Sequence, residues 1–545
     1  MSVRPPVLRT TGAAAAARPA VLLAALDEPV LAHWLSTRRW FAAKGYGLVR
    51  VTLHDAVPVE DAHVRAAVAR LAVELDDGRV ERYQLPVVLR ERAAGGEAGA
   101  EVLVTVAGDG WQAELVDAVY DAGFRALVAR GLEQGATHAS GDVRWVLTPE
   151  PGAELAGLAD MRSTPGGAEQ SNTSLLYGDR AVLKLYRRLE GGEQPDVEMA
   201  RYLSGLGDRA HVPPLLGTIR FEEGTGTTTV AGMLQTFVAG AQEGWALALA
   251  SARAFLEGGD ADARVAFASE ARELGLVTRT MHAALAANDG DPAFAPVAAT
   301  ADDVGEWLDR ARDMTFDAIE LLASRRAANA LPAAIVAIAD AVLQRRTELL
   351  ADLDALASQV GHVPGERIRH HGDLHLGQTL RGADGRWYVI DFEGEPQRPL
   401  AERRSKQSAL RDVAGMLRSF SYAALVAAQG VGGLGVSAPV ELGVARWERA
   451  MRDAFLDAYF GAGKAPFLPA DAEGGRQLLA LFEMEKVCYE LHYELNNRPD
   501  WAWVPLRGIG RMLGARRPPR REPSSRCASG RDRPIRWAPP GTARG

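Results

Sequence analysis

Eight consecutive residues, His371-Gly372-Asp373-Leu374-His375-Leu376-Gly377-Gln378, constrain this chain more than any other stretch, together with Ile390-Asp391-Phe392-Glu393 a few residues on. Trp387 to Ile390 reads as a short apolar strand, and Asp384-Gly385 as the turn before it. One carboxylate therefore sits in a loop and a second at the end of a strand. Asp373 can accept the proton of an attacking hydroxyl. Asp391 and the Gln378 carbonyl can hold Mg²⁺ against nucleotide phosphates. A catalytic loop, a hairpin and a metal carboxylate in that order follow protein-kinase logic, and no Walker A sequence occurs in the chain. A zinc reading of His370, His371 and His375 competes, since His371 and His375 have helical i, i+4 spacing. Gly372-Asp373 between them favours a loop, with His371 as a bracing residue.

The nucleotide side is expected upstream. Thr164 to Thr173, with Ser171-Asn172-Thr173 at its end, is small and hydroxylated, so backbone N–H groups can approach phosphates. Lys184 follows in Ala-Val-Leu-Lys-Leu-Tyr, on the second strand of a hairpin (Ser174 to Tyr177, Ala181 to Tyr186) turning at Gly178-Asp179. A strand lysine after a phosphate-covering loop is the kinase arrangement. Glu198, at the start of the next helix, is the expected partner of Lys184. Gly430 to Gly435 fits G-x-G-x-x-G but follows a helix instead of a strand, so it reads as a loop.

On the substrate side, residues 478–505 contain a helix with a core stripe at Leu481, Met484, Cys488, Leu491 and Leu495. Lys486, Tyr489 and Tyr493 form a second stripe about 140° away. Tyrosines and a lysine on one face can stack on and hydrogen-bond a neutral sugar. Cys488 lies on the core stripe and reads as packing. Asp412 is expected to cap its helix or to hold catalytic-loop N–H groups.

The organisation agrees with an α+β chain. Strands are expected at Val49 to Leu53, Val64 to Leu75 and Val80 to Leu89, with a turn at Asp77-Gly78, after a helix over Val21 to Leu35. Ala93 to Ala100 reads as a linker and Trp111 to Leu132 as a helix. Residues 153–240 read as a small antiparallel sheet, including Thr218 to Glu222 and Thr228 to Val238. Long amphipathic helices follow from about 245. The domain expectation is 1–95 cap, 96–240 nucleotide-binding lobe, 241–514 helical lobe, and 515–545 a disordered basic tail.

A net charge of −8 over 545 residues argues against nucleic-acid binding. Two cysteines give no disulfide framework, and no apolar run is long enough to span a membrane. These features suit a cytoplasmic protein.

The chain resembles the actinobacterial maltokinases, within the aminoglycoside-phosphotransferase-like branch of the kinase fold. The resemblance rests on Arg39 to Lys44, Gln170 to Ser174, Val182-Leu183-Lys184, Gly244-Trp245, His371 to Gln378, Ile390 to Pro396, Arg411 to Phe420 and Tyr489 to Pro499. It departs at Ala43, where the family usually has Gly, and in the tail. The resemblance implies a bilobal protein-kinase-like fold with an N-terminal cap subdomain, a β-rich intermediate subdomain and a mostly helical C-lobe. It implies ATP- and Mg²⁺-dependent phosphorylation of maltose to maltose 1-phosphate for α-glucan synthesis. Phe237 and Val238 would join the ATP side, Glu393 the metal ligands and His375 the sugar side. Two alternatives stand beside it. One is a glucosamine kinase-like enzyme, although those tend to have Asp-Phe-Asp-Gly-Asn-Pro where this chain has Asp391-Phe392-Glu393-Gly394-Glu395-Pro396. The other is a non-catalytic regulatory partner of trehalose synthase, with which the family is often linked.

Overall fold

The computed structural model describes residues 5–515 except 12–16, 42, 44–45, 62, 92–98, 167–171, 259–260, 288–289, 360–364, 396–397 and 433–437. Most of the Ala93 to Ala100 stretch, Ser171 and the tail after Ala515 thus lie outside the described residues.

The first layer is an antiparallel sheet built on Leu48–Glu60, Arg65–Leu75 and Val80–Glu91. It continues through Trp111–Asp117 and Val102–Gly108, and Val7–Arg9 adds a parallel edge. The sheet therefore runs past the boundary expected at residue 95. It also corrects the helix expected from Trp111. Asp109-Gly110, with Gly110 at φ +80°, closes a hairpin that sets Gly108 opposite Trp111. This is the same Asp-Gly signal as at Asp77-Gly78. The helix begins only at Ala122, where the Asp121 carboxylate accepts from the Phe124 N–H at 2.8 Å as an N-cap. The helix expected over Val21 to Leu35 is two helices, Pro19–Ala24 and Glu28–Ser36. Pro29 cannot donate to the preceding turn, so the break falls just before it.

A second seven-stranded sheet follows in the order Thr137–Ser140, Val143–Pro149, Leu215–Glu223, Thr228–Thr236, Ala181–Tyr186, Asn172–Tyr177, Ser163–Pro165. Arg188–Leu189 pairs with the first sheet at Tyr83 and Arg82, so the two sheets are hydrogen-bonded through one continuous stretch of chain. Beyond Gly244 the described residues are mostly helical, with a hairpin pairing Thr379–Arg381 with Trp387–Val389 and a two-residue pairing of Val297–Ala298 with Glu366–Arg367.

The helix Leu410–Gly432 runs through the centre of this lobe and is buried on nearly every face. A helix apolar all round belongs in a core. Its buried polar exceptions, Asp412, Arg418, Ser419 and Ser421, therefore need partners. Gly430, Val431 and Gly432 complete this helix instead of forming a loop. Among the described residues, no helix is long and apolar enough to cross a membrane.

Candidate active site

Asp412 holds the catalytic loop. Its Oδ2 accepts from the His371 N–H at 2.7 Å and its Oδ1 from the Gly372 N–H at 2.9 Å. His282 Nε2 lies 3.0 Å from Oδ2. Burial opposes the Asp412 charge, but the His282 hydrogen bond holds the carboxyl well below the usual range. Of the two roles expected for Asp412, the structure shows the loop-holding one. Gly415, one turn on, presses against the loop so closely that a Cβ would meet the Leu374 carbonyl at 2.5 Å. Ser419 Oγ accepts from the Leu376 N–H at 2.9 Å.

His371 braces the site from the other side. Its Nε2 lies 3.0 Å from the Ile390 carbonyl and its Nδ1 3.3 Å from the Asp373 N–H. These partners assign a neutral ring with the proton on Nε2. His375 caps the short 3₁₀ turn Leu376–Gln378, its Nδ1 accepting from the Gly377 N–H at 3.0 Å. The two rings do not share a helix face. Burial holds both His370 and His375 below the ordinary imidazole value, His370 at about 4.

Asp391 adopts φ +67°, rare for a residue with a Cβ. Such a backbone costs about 1–3 kcal/mol and persists only when its surroundings over-determine it. Here both flanking peptides are clamped, Ile390 O by His371 and the Phe392 N–H by Asp196 Oδ1 at 2.9 Å. The clamp aims Asp391 at Lys184. Lys184 Nζ lies 2.5 Å from Asp391 Oδ1, 2.6 Å from Glu393 Oε1 and 2.8 Å from Asp196 Oδ2.

Asp196 is thus the helix carboxylate that meets Lys184, not Glu198. The two residues lie about 200° apart around their helix. Glu198 pairs instead with Arg369 at 2.7 Å and Arg404 at 2.8 Å. Burial opposes the Lys184 charge, but its three carboxylates outweigh it and hold the ammonium well above the ordinary range.

Carboxylate oxygens of Asp196, Asp391 and Glu393 all lie within 4.8 Å of one another. One ammonium does not balance three carboxylates. Burial and then the Asp391 and Asp196 charges push Glu393 up to about 7 despite Lys184. Gln378 donates to Asp391 Oδ2 through Nε2 at 2.8 Å, leaving its carbonyl as a further oxygen donor. An oxygen-rich cluster with excess negative charge suits a hard divalent cation.

Elsewhere on the nucleotide side, Asn172 Nδ2 donates to Glu393 at 2.7 Å, and the Thr173 hydroxyl accepts from Arg187 Nε at 2.8 Å. Phe237 and Val238 follow the strand Thr228–Thr236, half-buried, with the Phe237 N–H on the Arg180 carbonyl at 2.9 Å.

A cleft of about 540 Å³ opens beside Asp373. His375, Gln378, Asp391 and Glu393 line its floor, and Lys486, Tyr489 and Tyr493 line one wall. These three come from the helix Ala472–Asn497, whose core stripe, Cys488 included, is buried. The Tyr489 and Tyr493 rings stack with centroids 6.4 Å apart, and Arg498 lies over both Tyr493 and Trp501. Lys486 differs from expectation. Its ammonium is engaged by protein carboxylates, Asp373 at 3.0 Å and Glu395 at 2.7 Å.

Trp245, Tyr422, Glu490, Glu494 and Arg498 also line the cleft, and none was assigned a site role from sequence, although all but Tyr422 fall in the motifs Gly244-Trp245 and Tyr489 to Pro499. The Asn-Arg-Pro-Asp-Trp run after the helix was the available signal for the last of these. Asp196 and Glu395 were missed as well. Asp196 carries the helix-start signal that Glu198 shares, whereas Glu395 lies in the quoted metal-loop motif.

A positioned loop aspartate, a strand lysine and a strand-end carboxylate beside an open cleft define a kinase-fold phosphotransferase. Residues 34–121 match the maltokinase N-terminal cap domain. The chain is 32% identical over 350 residues to the glucosamine kinase of Streptacidiphilus jiangxiensis, covering 64% of this chain and 73% of that protein. It is 28% identical over 355 residues to the glucosamine kinase of Mycolicibacterium smegmatis, covering 64% and 79%. A solved glucosamine kinase in complex with glucosamine, ADP and inorganic phosphate shares the fold, with a TM-score of 0.58 at 24% identity over 92% of this chain and 98% of that one. A second crystal form gives a TM-score of 0.60 over 91% and 99% at the same identity. The chain belongs to the maltokinase-like family of sugar kinases that includes these glucosamine kinases.

Proposed function

We propose that this sugar kinase transfers the γ-phosphoryl group of ATP to the anomeric hydroxyl of maltose, giving maltose 1-phosphate for α-glucan synthesis. The observation that carries the choice of a neutral sugar is ion pairing along the cleft. Each carboxylate among the described residues lining it already touches a cation, and the excess negative charge lies only in the cluster that shares Lys184 and suits a divalent cation. Asp373 pairs with Lys486 at 3.0 Å, Asp391 and Glu393 with Lys184 at 2.5 and 2.6 Å, Glu490 with Arg418 at 2.7 Å and Glu494 with Arg498 at 2.7 Å. An amino sugar brings an ammonium that needs a carboxylate of its own. A neutral disaccharide needs hydrogen bonds and an apolar ring face, which the Tyr489–Tyr493 wall offers.

In the transfer, Asp373 takes the proton from the acceptor hydroxyl as the sugar oxygen bonds to the γ-phosphorus. The bond from that phosphorus to the bridging oxygen breaks, and its electron pair leaves with ADP. Asp391, Glu393 and the Gln378 carbonyl would hold Mg²⁺, which neutralises charge on the phosphates. Lys184 supplies a phosphate-binding cation from the strand side.

A second reading, glucosamine phosphorylation, is favoured by the curated relatives. An ADP-formation assay over maltose, glucosamine, glucose and aminoglycosides decides between them. The expected result is a maltose kcat/KM at least about tenfold above that of glucosamine, since an unpaired ammonium loses more than 1.4 kcal/mol. A preference for glucosamine overturns the maltose reading. A non-catalytic partner of trehalose synthase would form no ADP with any sugar.

A further inference from the structure

Lys486 leaves the substrate helix toward the catalytic loop. Of its three N–H donors, one meets Asp373 Oδ1 at 3.0 Å and another Glu395 Oε1 at 2.7 Å. Its ammonium also lies 4.9 Å from the centre of the Tyr489 ring. A lysine whose task is to bind sugar would present its donors to the cleft. This one is committed to two carboxylates of its own chain.

The far end of the contact is rigid. Glu395 is 4% exposed and also pairs with Arg398. Arg398 reaches Glu402 as well, and Glu485 at 3.5 Å. Glu485, itself buried, takes two hydrogen bonds from Arg411 Nη1, each 2.9 Å. Burial opposes the Lys486 charge, and Asp373 and Glu395 outweigh it. The ammonium is therefore fixed in place and charged before any substrate arrives.

The near end has a direction. Lys486 engages Oδ1 of Asp373, and among the described residues no hydrogen bond reaches Oδ2. Asp373 also borders the cleft. We propose that Lys486 is a positioning residue for phosphoryl transfer: anchored by Glu395, it clamps Oδ1 of Asp373 and leaves Oδ2 to receive the proton of the acceptor hydroxyl. The proposal rests on the sugar-kinase reading above. Without the lysine, Asp373 and Glu395 would share a partly buried space with no cation between them, and Asp373 would turn away. Misplacing a reacting group by about 1 Å can cost about 10²-fold in rate.

The test uses the full chain and the acceptor sugar identified by the panel above. Lys486→Met is expected to lower kcat about 10²-fold while the KM values for sugar and ATP stay within about threefold. Lys486→Arg should restore part of kcat, and added methylamine should rescue Lys486→Met by supplying an ammonium. In the Asp373→Asn background, Lys486→Met should cost nothing further, because the clamp then has no base to hold. Glu395→Gln keeps the lysine and loosens its anchor, so it should lower kcat by a smaller factor. It also covers the case of a Lys486→Met protein that does not fold. A raised sugar KM with unchanged kcat, or additive losses in the double variant, overturns the clamp and leaves the sugar-kinase reading intact. An intact chain that phosphorylates no sugar overturns both.

Discussion

Replacing Asp412 by Asn tests how the catalytic loop is held. The side chain is 1% exposed and meets three donors: the His371 N–H, the Gly372 N–H and His282 Nε2. A carboxylate accepts at both oxygens, whereas an amide accepts at one and donates at the other. In the better orientation, the amide oxygen keeps His371 and His282, and the amide nitrogen is set against the Gly372 N–H, donor against donor. One buried N–H left unsatisfied costs about 1–3 kcal/mol. The two retained bonds also lose their charge assistance, so the total should reach about 2–4 kcal/mol. Urea unfolding at pH 7 reads the stability, and steady-state kinetics read the loop, with kcat expected to fall about tenfold or more. The pH dependence has a definite sign. The folded-state pKa of Asp412 is depressed, so its stabilisation is complete above the unfolded carboxyl value of 3.8 and is lost as pH falls toward the folded value. The gap between wild type and Asp412→Asn should therefore be flat above about pH 5 and close in stronger acid. Equal unfolding free energies at pH 7, with kcat within twofold, would refute the account.

Asp373→Asn should lower kcat by about 10²–10⁴-fold and leave ATP binding nearly intact by calorimetry; turnover within tenfold of wild type removes the residue from the role of base. Asp391→Ala should abolish activity across a Mg²⁺ titration, with Gln378→Ala milder because a neutral carbonyl contributes less; an unshifted Mg²⁺ requirement with normal turnover refutes the assignment. Burial holds His370 at about 4 against an ordinary 6.5, so the folded chain refuses a proton that the unfolded chain takes up. Stability should then fall by on the order of 3 kcal/mol as pH drops from 6.5 to 4, and His370→Gln should flatten that slope in urea titrations. Tyr489→Ala should raise the sugar KM by a factor worth about 1–3 kcal/mol without moving the ATP KM; the opposite pattern places the sugar elsewhere.

What sequence revealed of the site followed the range of the interactions. Asp373, Gln378 and Asp391 stand close in the chain, and their spacing alone joins a loop to a strand end. The stripe of Lys486, Tyr489 and Tyr493 was visible because helical period is local. Lys184 was also visible, but its partner was not. Asp196 and Glu198 both lie in the first helical turn, and only the packing of Tyr186 and Phe392 around Asp196 decides between them. The contacts of Lys486 depend on a residue 113 positions away in sequence and another 91 away, which no local pattern reports. The error at Trp111 was of another kind. Asp109-Gly110 is a hairpin signal, and the helical spacing read across Trp111 to Leu132 overrides it.

The segment from Asp391 to Glu395 explains why the two halves of the site come together. Extended backbone sends alternate side chains to opposite faces, but this segment turns at Asp391 and at Gly394, φ +73°. Asp391 and Glu393 consequently meet Lys184 on the sheet side, while Glu395 meets Lys486 on the helical side. Phe392 fixes the middle, buried against the His371 ring at 4.7 Å with its N–H on Asp196. Five residues thus connect the strand lysine, which touches the carboxylates of Asp391 and Glu393, to the helix lysine, which touches that of Asp373. An asparagine in place of Glu395 would leave Lys486 facing Asp373 without its anionic anchor. A neutral acceptor places no competing ammonium in the cleft, so the pairing of Lys486 with both carboxylates can persist when the sugar binds.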